Sequence, residues 1–96
     1  TAYIASKGGV IGFTRALASE VGVHGVTANV IAPGLTNTKS MRGTNEEIFE
    51  YLPKQQAIPR MIEPDDLVGV VSFLCSSDSA FVTGQTIAAD GGQVRV

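Results

Sequence analysis

The sequence predicts an α/β fold with a doubly wound parallel sheet, and the order of its apolar segments indicates this class. An amphipathic helix at residues 2–21 leads into a short alternating strand at 26–31. More than fifty residues, with a second helix starting near Glu63, separate that strand from another at 85–89. A parallel strand pair requires a long crossover of this kind, whereas an antiparallel pair can be joined by a tight turn. The order is therefore helix, strand, crossover, helix and strand.

The composition is that of an ordinary globular chain. Of the 96 residues, 44% are hydrophobic and 17% charged, and the formal net charge is −2. A chain without a basic excess is a poor candidate for nucleic-acid binding. There is no apolar run of membrane-spanning length and no opening signal segment, and the single cysteine, Cys75, excludes an internal disulfide and a cysteine metal cluster. These features predict a cytoplasmic protein with no nucleic acid, membrane or metal partner.

The first predicted helix carries two stripes. Large apolar residues recur at three- and four-residue steps, at Val10, Phe13, Leu17 and Val21. A second stripe contains only small residues, namely Ala5, Gly9, Gly12, Ala16 and Ser19. Glycines inside a helix cost roughly 1 kcal/mol each relative to alanine. The small stripe therefore predicts close approach to a cofactor, another backbone or a partner helix, with a poorly formed helix as the alternative.

Tyr3 and Lys7 are the candidate catalytic residues. They are four residues apart, so in a helix they share one face. A phenol has a reference pKa of about 10, and a neighbouring ammonium favours its ionised form. Tyr3 is then a candidate general acid and base, with Lys7 as its electrostatic tuner. The alternative is an ordinary pair on a solvated helix face, because this spacing alone is common.

Pro33 and Gly34 end the first predicted strand, because proline lacks a ladder donor and glycine permits a turn. The residues that follow leave the carboxyl end of a parallel strand, where open α/β sheets bind ligands. Thr36 and Thr38 lie in this stretch. On local sequence alone, the alternative is a turn rich in capping residues.

Residues 36–60 are predicted to form a substrate lid. A candidate capping box, Thr44 to Glu47, precedes a short apolar segment that Pro53 interrupts. Short amphipathic segments next to a ligand loop suit closure over a substrate. The apolar residues here fit a small satellite core equally well.

The second predicted helix begins at Glu63-Pro64-Asp65-Asp66. Proline suits the first helical position, and carboxylates in the first turn interact favourably with the helix dipole. Capping therefore explains the paired aspartates better than a metal site does. The predicted buried face consists of Leu67, Val70, Val71, Leu74 and, as a small hydrophobe, Cys75.

Three sequence blocks resemble the short-chain dehydrogenase/reductase family. They are Tyr3-Ile4-Ala5-Ser6-Lys7-Gly8-Gly9, Asn29-Val30-Ile31-Ala32-Pro33-Gly34, and Thr83 to Ile87 with Asp90-Gly91-Gly92. The resemblance covers the whole chain in the family's order. It implies that residues 1–96 are the C-terminal part of a single Rossmann-type domain whose N-terminal nucleotide-binding half is absent. In keeping with this, no glycine-rich turn between a strand and a helix is present to seat a pyrophosphate.

The resemblance also implies an activity, that of an NAD- or NADP-dependent enzyme interconverting an alcohol and a ketone. In this interpretation Tyr3 exchanges a proton with the substrate oxygen, while Lys7 depresses the pKa of Tyr3 and binds the cofactor ribose. Reduction of a 3-oxoacyl thioester is the alternative substrate class. The small-residue helix would pack across the interface of a homo-oligomer, a dimer or a tetramer. The implied cofactor contacts are Tyr3, Lys7, Pro33, Gly34, Thr36 and Thr38.

A rival hypothesis is a truncated or proteolysed, non-catalytic fragment that self-associates through the small-residue helix. Under either hypothesis the 96 residues alone are expected to be inactive. They are also expected to be unstable as a monomer, because two parallel strands leave both sheet edges open and cover little core.

Overall fold

A computed structural model describes residues 2–34 and 56–93. The elements in order are helix α1 (Ala2–Val21), a 3₁₀ turn (Gly22–His24), strand β1 (Val30–Pro33), helix α2 (Asp65–Leu74), a second 3₁₀ turn (Ser77–Ser79) and strand β2 (Thr86–Ala89). The chain divides into two compact units. The first comprises Thr1–Ile31 with Ser72–Ile87, and the second comprises Ala32–Val71 with Ala88–Val96.

Among the described residues, strands β1 and β2 are hydrogen-bonded neighbours in a two-stranded sheet. The N–H of Val30 donates to the carbonyl of Gln85, and the N–H of Gly84 donates to the carbonyl of Ala28, each at 2.8 Å. Because the partner numbers rise together along both segments, the pair is parallel. The prediction of an α/β chain with a long parallel crossover is confirmed.

Strand β1 begins at Val30, four residues later than the sequence predicts. The N–H of Ala28 donates to the side-chain oxygen Oγ1 of Thr83 at 3.0 Å rather than to a backbone carbonyl. The side chain of Asn29 is hydrogen-bonded to the residues on either side of Thr83. Its Nδ2 donates to the carbonyl of Val82 at 3.0 Å, and its Oδ1 accepts from the N–H of Gln85 at 3.1 Å. These side-chain bonds set the register before the backbone ladder starts.

Helix α1 has the predicted bounds, but its less exposed face coincides with the predicted stripe only at Leu17 and Val21. Ala18 is buried, whereas Val10 and Phe13 of the predicted stripe are exposed. A Cβ at Gly84 would lie 3.6 Å from that of Ala18, so this small residue is where α1 meets the loop before β2. The other less exposed positions of α1 lie on the same side of the helix as Ala18. They are Ile11, Thr14, Leu17 and Val21.

The glycines of the small-residue stripe show no close approach within the described part of the chain. A Cβ at Gly9 or Gly12 would have no described atom within 4 Å, once the backbone of the helix itself is set aside. The predicted close approach at these two glycines therefore involves no described residue. Helices α1 and α2 both lack the combination of length and apolar character needed to cross a membrane.

Helix α2 begins at Asp65, as its first-turn carboxylates predict. The face that is half-buried contains Leu67, Val70 and Leu74, at helical steps of three and four. Val71 and Cys75 are exposed, so their predicted places on the buried face are wrong. For Cys75 the physical reason is that the helix ends at Leu74, so that Cys75 already lies in the turn that follows.

Candidate active site

Residues 3 and 7 both lie in α1, one helical turn apart. The predicted four-residue spacing is therefore present in a continuous helix of 20 residues. The side chain of Lys7 is exposed. The predicted contact between the phenol of Tyr3 and the ammonium of Lys7 lies outside the described side chains.

Pro33 and Gly34 lie at the carboxyl end of β1, as predicted. Pro33 is exposed, whereas Gly34 is half-buried. A Cβ at position 34 would lie 2.7 Å from Cδ1 of Ile62 and 3.1 Å from Cβ of Asp90. A methyl group there would require a neighbour to move. The structure thus brings Gly34 together with two residues that sequence reasoning did not connect to it, while Thr36 and Thr38 lie outside the described residues.

A turn at residues 56–62 supports this part of the second unit. Gln56 is buried, and its Nε2 donates to the carbonyls of Ile58 and Arg60, each at 2.9 Å. The N–H of Ile58 donates to the carbonyl of Gly91 at 2.8 Å. The end of the predicted lid is therefore hydrogen-bonded, through Ile58, to the segment that follows β2.

That segment, Asp90-Gly91-Gly92, is a turn that requires glycine twice. Gly91 has φ +65° and Gly92 has φ +83°, which are left-handed conformations that favour glycine. A Cβ on Gly91 would lie 2.7 Å from Nε2 of Gln56. The buried Asp90 stabilises the turn, since its Oδ1 accepts from the N–H of Gly92 at 3.0 Å.

Arg60 and Asp66 form a bidentate ion pair. Nη1 and Nη2 of Arg60 donate to the two carboxylate oxygens of Asp66 at 2.6 and 2.8 Å. The carboxylate also accepts from the N–H of Glu63 at 2.8 Å, which satisfies a donor at the start of α2. The hydrogen bond from Arg60, followed by that from Glu63, lowers the pKa of Asp66 to about 2. Capping by Asp66 was predicted from its position, whereas its pairing with Arg60 was not.

An open cavity of about 200 Å³ adjoins this turn in the second unit. Its polar groups are already engaged, because Gln56 bonds to backbone carbonyls and Arg60 bonds to Asp66. We therefore interpret this cavity as a structural feature of the turn rather than as a ligand site. The lining residues are Gln56, Ile58, Arg60, Ile62, Asp66, Ala89 and Gly91. Across residues 2–34 and 56–93, histidine, cysteine and acidic side chains nowhere form a group of three that could hold a metal ion.

Comparison with known proteins gives matches along nearly the whole chain. The profile of a family described as enoyl-(acyl carrier protein) reductase matches residues 1–93. An acetoacetyl-CoA reductase of Shinella zoogloeoides is 42% identical over 98% of this chain and 39% of its own length. A 3-oxoacyl-[acyl-carrier-protein] reductase of Vibrio cholerae is 37% identical over 98% of this chain and 38% of its own. The chain thus spans about two-fifths of the length of these curated relatives.

Solved structures show the same fold. A putative gluconate dehydrogenase from Agrobacterium tumefaciens superimposes with a TM-score of 0.92 at 36% identity, over 98% of this chain and 38% of its own. A 3-oxoacyl-[acyl-carrier protein] reductase from Brucella melitensis with bound NAD has a TM-score of 0.84 at 36% identity, over 94% of this chain and 32% of its own. Both likenesses cover about a third of the larger chain.

Proposed function

The chain belongs to the short-chain dehydrogenase/reductase family of oxidoreductases, and from this premise we propose that it is the C-terminal part of an NAD(P)-dependent enzyme interconverting an alcohol and a ketone. The observation that carries the proposal is the position of Tyr3 and Lys7 one turn apart in α1. The proposed activity belongs to the whole protein, in which this chain contributes the acid–base pair.

Carbonyl reduction requires a hydride and a proton. The nicotinamide cofactor supplies or accepts the hydride when it is bound. Tyr3 donates its phenolic proton to the carbonyl oxygen in reduction and receives it in oxidation, because hydride transfer without a proton would leave an alkoxide. In the proposed mechanism the positive charge of Lys7 favours the phenolate form of Tyr3.

Lys7 and Gly34, each considered by itself, carry groups suited to the nicotinamide end of such a cofactor. Lys7 is exposed, and its ammonium carries N–H donors of the kind that bind the hydroxyls of a ribose. Gly34 leaves the carboxyl end of a parallel strand, where open α/β sheets bind ligands, and Ile62 and Asp90 occupy the space that a Cβ at this position would take. We propose that the backbone groups here bind the carboxamide. With Pro33, Thr36 and Thr38 this strand end forms the proposed cofactor loop, defined as residues 33–38. The proposal covers either NAD or NADP.

Two substrate classes remain as candidates. The first is a simple alcohol or ketone. The second is a 3-oxoacyl thioester, which the relatives named for acetoacetyl-CoA and for 3-oxoacyl-[acyl-carrier-protein] favour. The values of kcat/KM for acetoacetyl-CoA and for an aryl ketone distinguish the two classes. Crotonyl-CoA carries the same thioester with a carbon–carbon double bond, so it tests the reaction named in the family description.

We further propose that residues 36–60 contribute to substrate binding and that the whole protein is a homo-oligomer. Both proposals rest on the family's properties. A cytoplasmic location also remains a prediction from the sequence.

The replacement Tyr3→Phe in the whole enzyme tests the acid–base assignment. It removes only the hydroxyl, so turnover is expected to fall by about 10²- to 10⁴-fold. Cofactor affinity should change little, because one polar atom is lost from an extended contact. Steady-state rates and titration of NADH and NADPH by fluorescence measure the two quantities separately.

Ser19→Ala is the matched control for this variant. It also removes a hydroxyl from α1, one that bonds to the carbonyl of Arg15 in the same helix at 3.3 Å. Near-normal turnover is expected for Ser19→Ala. Near-normal turnover of Tyr3→Phe would instead refute the role assigned to the phenol.

A further inference from the structure

We draw no further inference here: the strongest candidate, the exposed apolar face of α2 that contains Val68 and Val71 and continues to Cys75, carries none because nothing in the described part of the chain shows what covers it.

Discussion

Gly91 and Gly92 show how strongly single residues determine the backbone conformation of a turn in this chain. Both have left-handed backbone conformations, which cost a residue with a side chain roughly 1–2 kcal/mol. The Asp-Gly-Gly sequence indicates a turn by itself, because these residues favour such conformations. It does not indicate that Gln56, 35 positions earlier in the sequence, packs against that turn. Contacts between distant residues follow from packing, and one sequence carries no direct signal for them.

The variant Gly91→Ala is expected to lower the free energy of unfolding of the whole protein by roughly 1–3 kcal/mol, from backbone strain and from displacement of Gln56. Gly69→Ala is the contrasting variant, because Gly69 lies inside α2 and a Cβ there would meet no described atom within 4 Å. It should raise the free energy of unfolding by about 1 kcal/mol. Urea denaturation measures both. A Gly91→Ala variant as stable as the wild type would contradict the strain argument.

The helices and strands follow local sequence to different degrees. The bounds of α1 and the start of α2 were predicted from apolar periodicity, a glycine after the helix and acidic residues in a first turn. The start of β1 was misplaced, because Ala28 and Asn29 have strand-like residues around them but bond to the side chain of Thr83 and to a loop. The buried face of α1 was predicted only in part, since Leu17 and Val21 lie on it whereas Val10 and Phe13 are exposed. Small Ala18 permits close packing that larger apolar residues would not, and hydrophobicity alone does not reveal that choice.

The start of α2 also has a predictable response to pH. Because Arg60 and Glu63 lower the pKa of Asp66 from 3.8 to about 2, the ionised carboxylate stabilises the folded state above about pH 3.8. That contribution decreases as the pH falls and is lost on passing through about pH 2. Asp66→Asn should therefore be less stable than the wild type at neutral pH, and the difference should disappear towards pH 2.

Unfolding in urea at a series of pH values measures this difference. Asp65→Asn is the matched control, since it removes the adjacent carboxylate and leaves the pair of Arg60 with Asp66 in place. It should retain the loss of stability in acid that Asp66 produces. A difference between wild type and Asp66→Asn that does not change with pH would show that the ionised carboxylate is not the source of the effect.

At the scale of the whole molecule, the small number of buried apolar residues limits the stability that these 96 residues can have by themselves. In the described part of the chain the buried apolar residues are Ala18 and Ile62, while Phe13 and Phe81 are 67% and 104% exposed. Ordering each residue's backbone costs about 1–2 kcal/mol, and burial of this extent offsets little of that sum. The family resemblance could be identified from sequence because its motifs are local. Further residues of the proposed site could not be identified, because the chain spans only about two-fifths of the length of its relatives.

These quantities predict the behaviour of the 96 residues expressed alone. We expect no cooperative thermal transition in circular dichroism and strong binding of a hydrophobic dye, because large apolar side chains such as Phe13 and Phe81 are exposed.

The protein purified from its natural source should then have an intact mass well above 10.0 kDa. A natural mass near that value would favour the non-catalytic fragment, and a cooperative melt of the isolated monomer would show that these residues need no further chain to fold.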